Sequence, residues 1–276
     1  MIKVATIAGS DTSGGAGLEA DLKVFSEFGL YGMAAITVIA TMNSKDWSHS
    51  VFPIDSKILE TQLDTVFSGV GAVAAKTGMI GTEENVKVIA ASLKENKVSN
   101  YVLDPVMVCK GTDEALNPEI NAATEKLLLP LATVVTPNIF ETEQLSGIKI
   151  NSREDMQNAA QILIKKGAKN VFIKGGAKLA AMENSNESCD LFYDGTEFHW
   201  LTKPLISTKW NHGAGCTTSA AIAAALALGK SPLEAVKIAK DFIQNSLSAS
   251  FPLNEFVGPG NPSAWRGDKT FLNHHE

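Results

Sequence analysis

Short apolar runs alternate with amphipathic segments along the whole chain. The runs are rich in β-branched residues, which is typical of strands covered on both faces of a sheet. They predict strands at 2–8, 34–40, 72–76, 101–104, 133–136 and 171–174. The amphipathic segments predict helices at 18–28, 57–67, 83–96, 119–128, 153–166, 216–228 and 232–250. The alternation predicts an α/β fold with a doubly wound, mostly parallel sheet and helices on both faces.

Two segments depart from this alternation. Residues 189–200 (CDLFYDGTEFHW) predict a hairpin that turns at Asp194-Gly195. Residues 177–188 are polar and predict a mobile loop. Because the chain contains neither an internal repeat nor a long Pro/Ser linker, we expect one domain over residues 1–276. Its tail, from about residue 261, is expected to be peripheral.

Composition narrows the classes of function. The 276 residues carry a net charge of −6 and no run of five basic residues, so a general nucleic-acid binder is not expected. The most apolar segment, 220–228, is too short to span a bilayer. Three scattered cysteines, without a CxxC pair or a secretory-type start, predict free thiols and a cytoplasmic protein that acts away from membranes.

The strongest local signal is the segment His212–Thr218 (HGAGCTT), which opens the most apolar predicted helix. Its small residues allow a ligand to approach the backbone, and the first N–H groups of a helix point toward such a ligand. The helix dipole would add partial positive charge, so a negative oxygen would be stabilised there. The alternative is a glycine-rich turn that only allows close helix packing.

Cys216 lies within that segment, at the predicted helix N-terminus. Thiol pKa values fall in such places, so a Cys216 thiolate is a candidate proton acceptor. A small buried residue that serves packing alone is the competing interpretation.

Polar side chains also follow several predicted strands, which end at one edge of a parallel sheet. Asn138 and Glu141 lie three residues apart and suit Mg²⁺, although an N-cap at Asn138 with Glu141 at the third helical position fits equally. Asp104 ends another strand and is a candidate second carboxylate for the same metal. Lys174 ends a third strand and is placed to meet a phosphate.

The glycine-rich loop 9–17 (GSDTSGGAG) follows the first predicted strand. It does not fit the dinucleotide fingerprint, and the sequence lacks a phosphate-binding loop of the Walker type. Ser10 and Asp11 within it are therefore candidates for binding hydroxyl groups of a ring.

Seven segments, in their order along the chain, resemble the ribokinase superfamily and its vitamin-kinase branch. They are most similar to bacterial pyridoxal kinases related to hydroxymethylpyrimidine kinases. The segments are AGSDTSGGAG (8–17), ADLK (20–23), KTGM (76–79), LDPVMVCKG (103–111), TPNIFE (136–141), KGG (174–176) and HGAGCT (212–217).

The resemblance implies a ribokinase-like fold and transfer of a phosphoryl group from ATP, with Mg²⁺, to the 5′-hydroxymethyl group of pyridoxal in vitamin B6 salvage. The alternative is a hydroxymethylpyrimidine or phosphomethylpyrimidine kinase of thiamine biosynthesis. A more remote alternative is a vitamin-binding protein with weak catalysis, because most of the superfamily has an aspartate base where this chain has Cys216. Relatives in this superfamily commonly form homodimers.

The resemblance also implies roles for individual residues. Gly213, Ala214, Gly215 and Cys216 would form the anion hole, with Cys216 as proton acceptor. Asn138 and Glu141 would order Mg²⁺ and the ATP phosphates, with Asp104 nearby, and Lys174 would border the nucleotide. The residues expected to face the substrate ring are Ser10, Asp11, Met42 and Met79.

Two positions bear on the choice of substrate. Pyrimidine kinases carry glutamine where this chain has Met42, and methionine cannot pair with an aminopyrimidine, so pyridoxal is favoured. Cys109 would lie in a lid, where its thiol could add reversibly to the aldehyde of pyridoxal as a hemithioacetal. An incidental thiol is the alternative for Cys109.

Overall fold

A computed structural model describes residues 1–107 and 118–266. Its strands are β1 (Lys3–Asp11), β2 (Tyr31–Met42), β3 (His49–Pro53), β4 (Ala74–Thr77), β5 (Asn100–Leu103), β6 (Val134–Val135), β7 (Val171–Ile173), β8 (Glu187–Tyr193) and β9 (Phe198–Pro204). They form one sheet in the order β3-β2-β1-β4-β5-β6-β7-β8-β9. The pairs from β2 through β1 and β4 to β7 are parallel, while β3, β8 and β9 pair antiparallel at the two edges.

Helices alternate with strands along most of the chain. Over the described residues they are α1 (Gly17–Glu27), α2 (Ser56–Asp64), α3 (Glu83–Glu95), α4 (Pro118–Leu127), α5 (Ile139–Ser146), α6 (Arg153–Lys165), α7 (Gly176–Glu183), α8 (Ala214–Ala227) and α9 (Pro232–Ser248). A π-helical turn over Thr65–Val70 follows α2. No helix within 1–107 or 118–266 is both long and apolar enough to cross a membrane.

The two faces of the sheet bury separate apolar cores. Ala5 and Ala75 face the core beneath α2 to α6, whereas their neighbours Val4 and Ala74 face the core beneath α1, α8 and α9. This happens because successive side chains of a strand point to opposite faces. Coverage of both faces makes the strands apolar without alternation, so the predicted doubly wound sheet is confirmed.

Residues 187–204 confirm one local prediction and correct another. Strands β8 and β9 form the predicted hairpin, and the Asp194 carboxylate accepts hydrogen bonds from the Thr196 and Glu197 amides in its turn. The predicted loop at 177–188 is wrong, because Gly176–Glu183 is helical and β8 already begins at Glu187. Leu179 and Ala180 are buried there, so packing stabilises a helix in a largely polar segment.

Candidate active site

A cavity of about 550 Å³ opens at the carboxyl ends of the parallel strands. Doubly wound sheets place their ligand sites at this edge. Twelve of the thirteen predicted site residues line the cavity: Ser10, Asp11, Met42, Met79, Asp104, Asn138, Glu141, Lys174, Gly213, Ala214, Gly215 and Cys216. The thirteenth, Cys109, lies outside the described residues. The fold therefore brings together residues from segments far apart in the sequence, such as Ser10 and Cys216.

The N-terminus of α8 faces the cavity through its first turn. Gly213, the N-cap, has φ 73°, and a Cβ there would lie 2.0 Å from the carbonyl oxygen of Gly15. Only glycine fits this position, because a side chain would be strained and would also collide. The Ala214 amide donates to the Asn211 carbonyl at 3.2 Å.

The amides of Gly215 and Cys216 have no hydrogen-bond partner among the described residues. They lie in the first turn of α8, where N–H groups have no acceptor within the helix. Within the α8 part of the predicted anion hole, the amides of Gly215 and Cys216 are therefore free to donate, whereas the Ala214 amide is already bonded. Binding of an anion by this segment stays a prediction.

The expected low pKa of Cys216 is wrong. Burial raises the pKa of this thiol to about 11, although the charge of Lys76 acts in the opposite direction. The carboxylates of Asp21 and Asp104 raise the pKa further, because a thiolate would be repelled by them. Cys216 is therefore a neutral thiol near pH 7, and the helix N-terminus does not outweigh its surroundings.

Asp104 and Lys174 form an ion pair in the cavity lining. The Lys174 ammonium lies 2.9 Å from Asp104 Oδ1, and Asp104 Oδ2 accepts from Ser219 on α8 at 3.1 Å. Burial favours the neutral acid, but the charges of Lys174 and Lys76 keep the pKa of Asp104 below its usual value. The pair therefore stays ionised and ties the ends of β5 and β7 to α8.

Asn138 and Glu141 form a complete capping box at the start of α5. The Asn138 side chain accepts from the Glu141 amide at 2.9 Å, and the Glu141 carboxylate accepts from the Asn138 amide at 2.8 Å. Burial raises the pKa of Glu141 to about 7, with Lys174 opposing and Asp104 adding to the increase. The capping interpretation is confirmed, while a metal role for these residues stays a prediction.

The donor set here fits Mg²⁺ that arrives with phosphates. In the described part of the chain no three His, Cys, Asp or Glu side chains cluster as a metal cage. Mg²⁺ commonly takes one or two carboxylates and completes its shell with water and phosphate oxygens. Asp104 and Glu141 supply two carboxylates close enough to influence each other's charge. A cation beside them would also relieve the cost of ionising buried Glu141.

Ser10 and Asp11 line the cavity, yet their side chains already have partners. The Ser10 hydroxyl donates to Glu19 at 2.6 Å. Asp11 accepts from the amides of Ser13 and Ala16, each at 2.9 Å, and lies 2.6 Å from Nε2 of His212. Their first effect is thus to order the glycine-rich loop, while their predicted contact with a ring is untested.

Sequence reasoning gave no role to three side chains that make close polar contacts near the cavity. Lys76 is fully buried in β4, 2.9 Å from Asp21 of α1, and this carboxylate raises the pKa of Lys76 despite its burial. On the opposite wall Lys240 lies 2.6 Å from Asp190, whose other oxygen accepts from the Gly176 amide. The third group, His212, was part of a predicted motif but received no role. The only signal in the sequence was a charged residue within an apolar segment.

A mostly parallel sheet whose strand ends meet a helix start with free backbone amides defines this protein as a ribokinase-like α/β protein. A sequence model of the phosphomethylpyrimidine kinase family matches residues 11–261, and the chain belongs to this family.

Individual relatives cover nearly the whole chain. The pyridoxine kinase of Bacillus subtilis is 47% identical, over 96% of this chain and 97% of its own length. The hydroxymethylpyrimidine/phosphomethylpyrimidine kinase of the same organism is 37% identical, over 96% of each chain. The pyridoxal kinase of Staphylococcus aureus, solved in complex with AMP-PCP and pyridoxal, is 48% identical and superimposes with a TM-score of 0.90, over 97% of this chain and 96% of that one.

Proposed function

We propose that this protein transfers the γ-phosphoryl group of ATP to the 5′-hydroxymethyl group of pyridoxal. The observation that carries this proposal is the full-length similarity to the kinase solved with AMP-PCP and pyridoxal. The cavity supports it, because a phosphate-type donor set and an apolar ring site share one space. Related B6 vitamers with the same hydroxymethyl group are expected substrates.

Positioning and charge stabilisation carry most of the proposed catalysis. The free amides of Gly215 and Cys216 would hold the oxygens of the phosphoryl group in transfer, and the Lys174 ammonium would neutralise charge on the ATP phosphates. Phosphoryl transfer passes through a loose transition state that needs little proton removal. Cys216 would accept the hydroxyl proton late in the transfer, through the small fraction of the thiol that is ionised near pH 7.

Mg²⁺ belongs to the proposal as the cation that accompanies ATP. Asp104 and Glu141 are the residues that would hold it, directly or through water, with Asn138 ordering the phosphates. When bound, Mg²⁺ neutralises charge on the β- and γ-phosphates. The protein's own part is to keep Asp104 ionised through Lys174 and Ser219.

The ring site favours pyridoxal over an aminopyrimidine. Met42 lies at the end of β2 on the cavity wall and offers an apolar surface without a hydrogen-bond partner for an amino group. The family name and the 37% identical relative favour hydroxymethylpyrimidine as the second candidate. The substitution Met42→Gln tests the choice directly.

A coupled assay of ATP consumption with pyridoxal, pyridoxine and hydroxymethylpyrimidine separates the candidates. We expect the wild type to prefer pyridoxal, and Met42→Gln to shift the kcat/KM ratio toward the pyrimidine by about tenfold, the value of one good hydrogen bond. Preference of the wild type for the pyrimidine would favour the second candidate. Binding of vitamers without ATP consumption would instead indicate a binding protein.

The finer features of the proposal are a homodimer and a cytosolic location. Edge strand β3 supports association, since Phe52 is 55% exposed and Val51 and Ile39 also expose apolar surface. Sedimentation velocity would report the oligomeric state, and a monomer at micromolar concentration would contradict the dimer.

A further inference from the structure

His212 joins three segments that meet at the rim of the cavity. Its Nε2 lies 2.6 Å from Oδ2 of Asp11, and its backbone N–H donates to the Gly258 carbonyl at 3.0 Å. The ring packs on Gly15, where an added Cβ would come within 2.7 Å of Cδ2. Only 10% of the His212 side chain is exposed, so the imidazole is held on several sides.

Asp11 connects His212 to the backbone of the glycine-rich loop. Its two carboxylate oxygens accept from the amides of Ser13 and Ala16, which brackets the loop on both sides of Gly15. The hydrogen bond from His212 lowers the pKa of Asp11 although burial acts to raise it. An ionised acceptor makes each of these bonds stronger than a neutral one would be.

The same loop presses against the start of α8. The Gly15 carbonyl occupies the space where a Cβ of Gly213 would stand, and Gly213 follows His212 directly in the chain. The free amides of Gly215 and Cys216 follow two and three residues after Gly213. A shift of His212 therefore moves the loop and the donors of the proposed anion hole together.

We propose that His212 is a positioning residue for phosphoryl transfer. Through its bond to Asp11 it clamps the glycine-rich loop across the first turn of α8 and fixes the direction of the two free amides. This inference rests on the proposed function, since the amides must meet a phosphoryl group in transfer. His212 need not touch either substrate to act in this way.

The test compares two substitutions that differ in one hydrogen-bond donor. His212→Leu removes the donor, whereas His212→Gln places an amide N–H near the position of Nε2. We expect His212→Leu to lower kcat by about 100-fold, the cost of a small misplacement, while both KM values stay within about threefold. His212→Gln should recover at least about tenfold of this loss, which a role in folding alone would not produce. Wild-type kcat in His212→Leu, or equal losses in both variants, would overturn the proposal.

A substitution that displaces the His212 ring but keeps the imidazole gives an independent check. Gly15 has a φ that other residues tolerate, so Gly15→Ala acts mainly by pushing on the His212 ring at Cδ2. We expect its kcat to fall as in His212→Leu. His199→Leu is the matched control, because His199 lies on β9 outside the cavity lining and should keep wild-type kcat. An unchanged kcat in Gly15→Ala would contradict the clamp.

Amide hydrogen exchange measures whether His212 orders the glycine-rich loop and the start of α8, and it needs no substrate. Mass spectrometry should show faster exchange in peptides covering 11–17 and 213–218 for His212→Leu, with protection restored in His212→Gln and unchanged in His199→Leu. Unaltered exchange in His212→Leu would overturn the clamp. If the wild type phosphorylates no vitamer, the proposed function fails, and this exchange experiment still decides the structural part.

Discussion

At the scale of single residues, surroundings decide the chemistry more than the position in a helix does. Cys216 has the helix N-terminus that usually favours a thiolate, yet burial and two carboxylates raise its pKa to about 11. In contrast, Asp104 stays ionised although it is buried, because Lys174 contacts it. Neither outcome follows from sequence spacing, since the neighbours that set both pKa values come from other segments.

The raised pKa of Cys216 leads to a pH-dependence. A thiol below its pKa gains about tenfold in thiolate per pH unit, so a turnover that uses the thiolate rises with pH above 7 and does not level off before about 11. In Cys216→Ala we expect kcat to fall by about 100-fold and the pH slope to disappear. The measurements are steady-state rates in both proteins and pyridoxal binding by titration.

Pyridoxal should still bind to Cys216→Ala, because removal of the thiol leaves the ring site intact. Near-wild-type turnover in this variant would refute a role of the thiol as proton acceptor. A pH slope that persists without the thiol would assign the slope to another group.

At the scale of elements, ends of strands and helices supply the site. Asn138 and Lys174 follow neighbouring strands and pair through a β-bridge, while the Glu141 side chain both caps α5 and faces the cavity. The Glu141 side chain can therefore cap α5 and hold a metal at the same time, because the cap uses only one carboxylate oxygen.

Glu141→Gln separates the two roles of this side chain. Glutamine still caps, since its carbonyl accepts the same bond, but it carries no charge for a metal. The folded protein raises the pKa of Glu141 to about 7, so wild-type stability falls as the pH rises from about 4.5 to about 7. We therefore expect Glu141→Gln to match the wild type at pH 4.5 and to exceed its melting temperature at pH 8.

Turnover should be lower in Glu141→Gln than in the wild type, although the variant is expected to be the more stable protein at pH 8. Loss of a ligand for the cation is expected to lower kcat/KM by at least about tenfold, with a higher Mg²⁺ requirement. Wild-type kcat/KM in Glu141→Gln at the Mg²⁺ concentration that saturates the wild type would show that Glu141 acts only as a helix cap. A melting temperature of Glu141→Gln below that of the wild type at pH 8 would contradict the idea that the buried Glu141 charge destabilises the folded protein.

The sequence predicted the central elements better than the edges. The strands that became β1, β4, β5 and β7 are apolar because both their faces are covered, and this pattern is readable from one chain. Strand β3 was missed, since its residues are mostly exposed at a sheet edge and carry no apolar run. Helix α7 was missed because a polar segment is helical only through the packing of a few side chains.

The sequence predicted those site residues that belong to recognisable motifs. Strand-end residues and the start of α8 were found because a parallel sheet gathers them at one edge. The side-chain contacts behind them were not, since His212 and Asp11 are separated by 201 positions and Lys76 and Asp21 by 55. Pairing across such distances depends on strand order, which spacing along the chain does not encode.

At the scale of the whole molecule, the Lys76–Asp21 pair lies at the junction of sheet and helix layer. Both side chains are fully buried, and Thr6 of β1 donates a further hydrogen bond to Asp21 at 2.6 Å. The pair joins β4 to α1 and also sets the charge around Cys216. Loss of this pair should therefore lower the free energy of unfolding of the whole protein and also alter the site.

Lys76→Met leaves the Asp21 carboxylate buried without its counter-charge. We expect the free energy of unfolding in urea to drop by about 3–5 kcal/mol, the usual cost of breaking a buried pair. Lys87→Met is the control, because Lys87 is half exposed beside Glu83 and should unfold like the wild type. Equal stability of Lys76→Met and the wild type would show that Asp21 does not depend on Lys76.

The contact between Gly213 and the Gly15 carbonyl limits how this enzyme scaffold can be re-engineered. The Gly15 carbonyl leaves no room for a methyl group on Gly213, and the His212 ring crowds a methyl group on Gly15. Attempts to graft a foreign substrate loop from a homologue must therefore transplant 11–17 and 212–213 as one cassette. A chimera that exchanges only one of these two segments would lose the close fit between the glycine-rich loop and the start of α8.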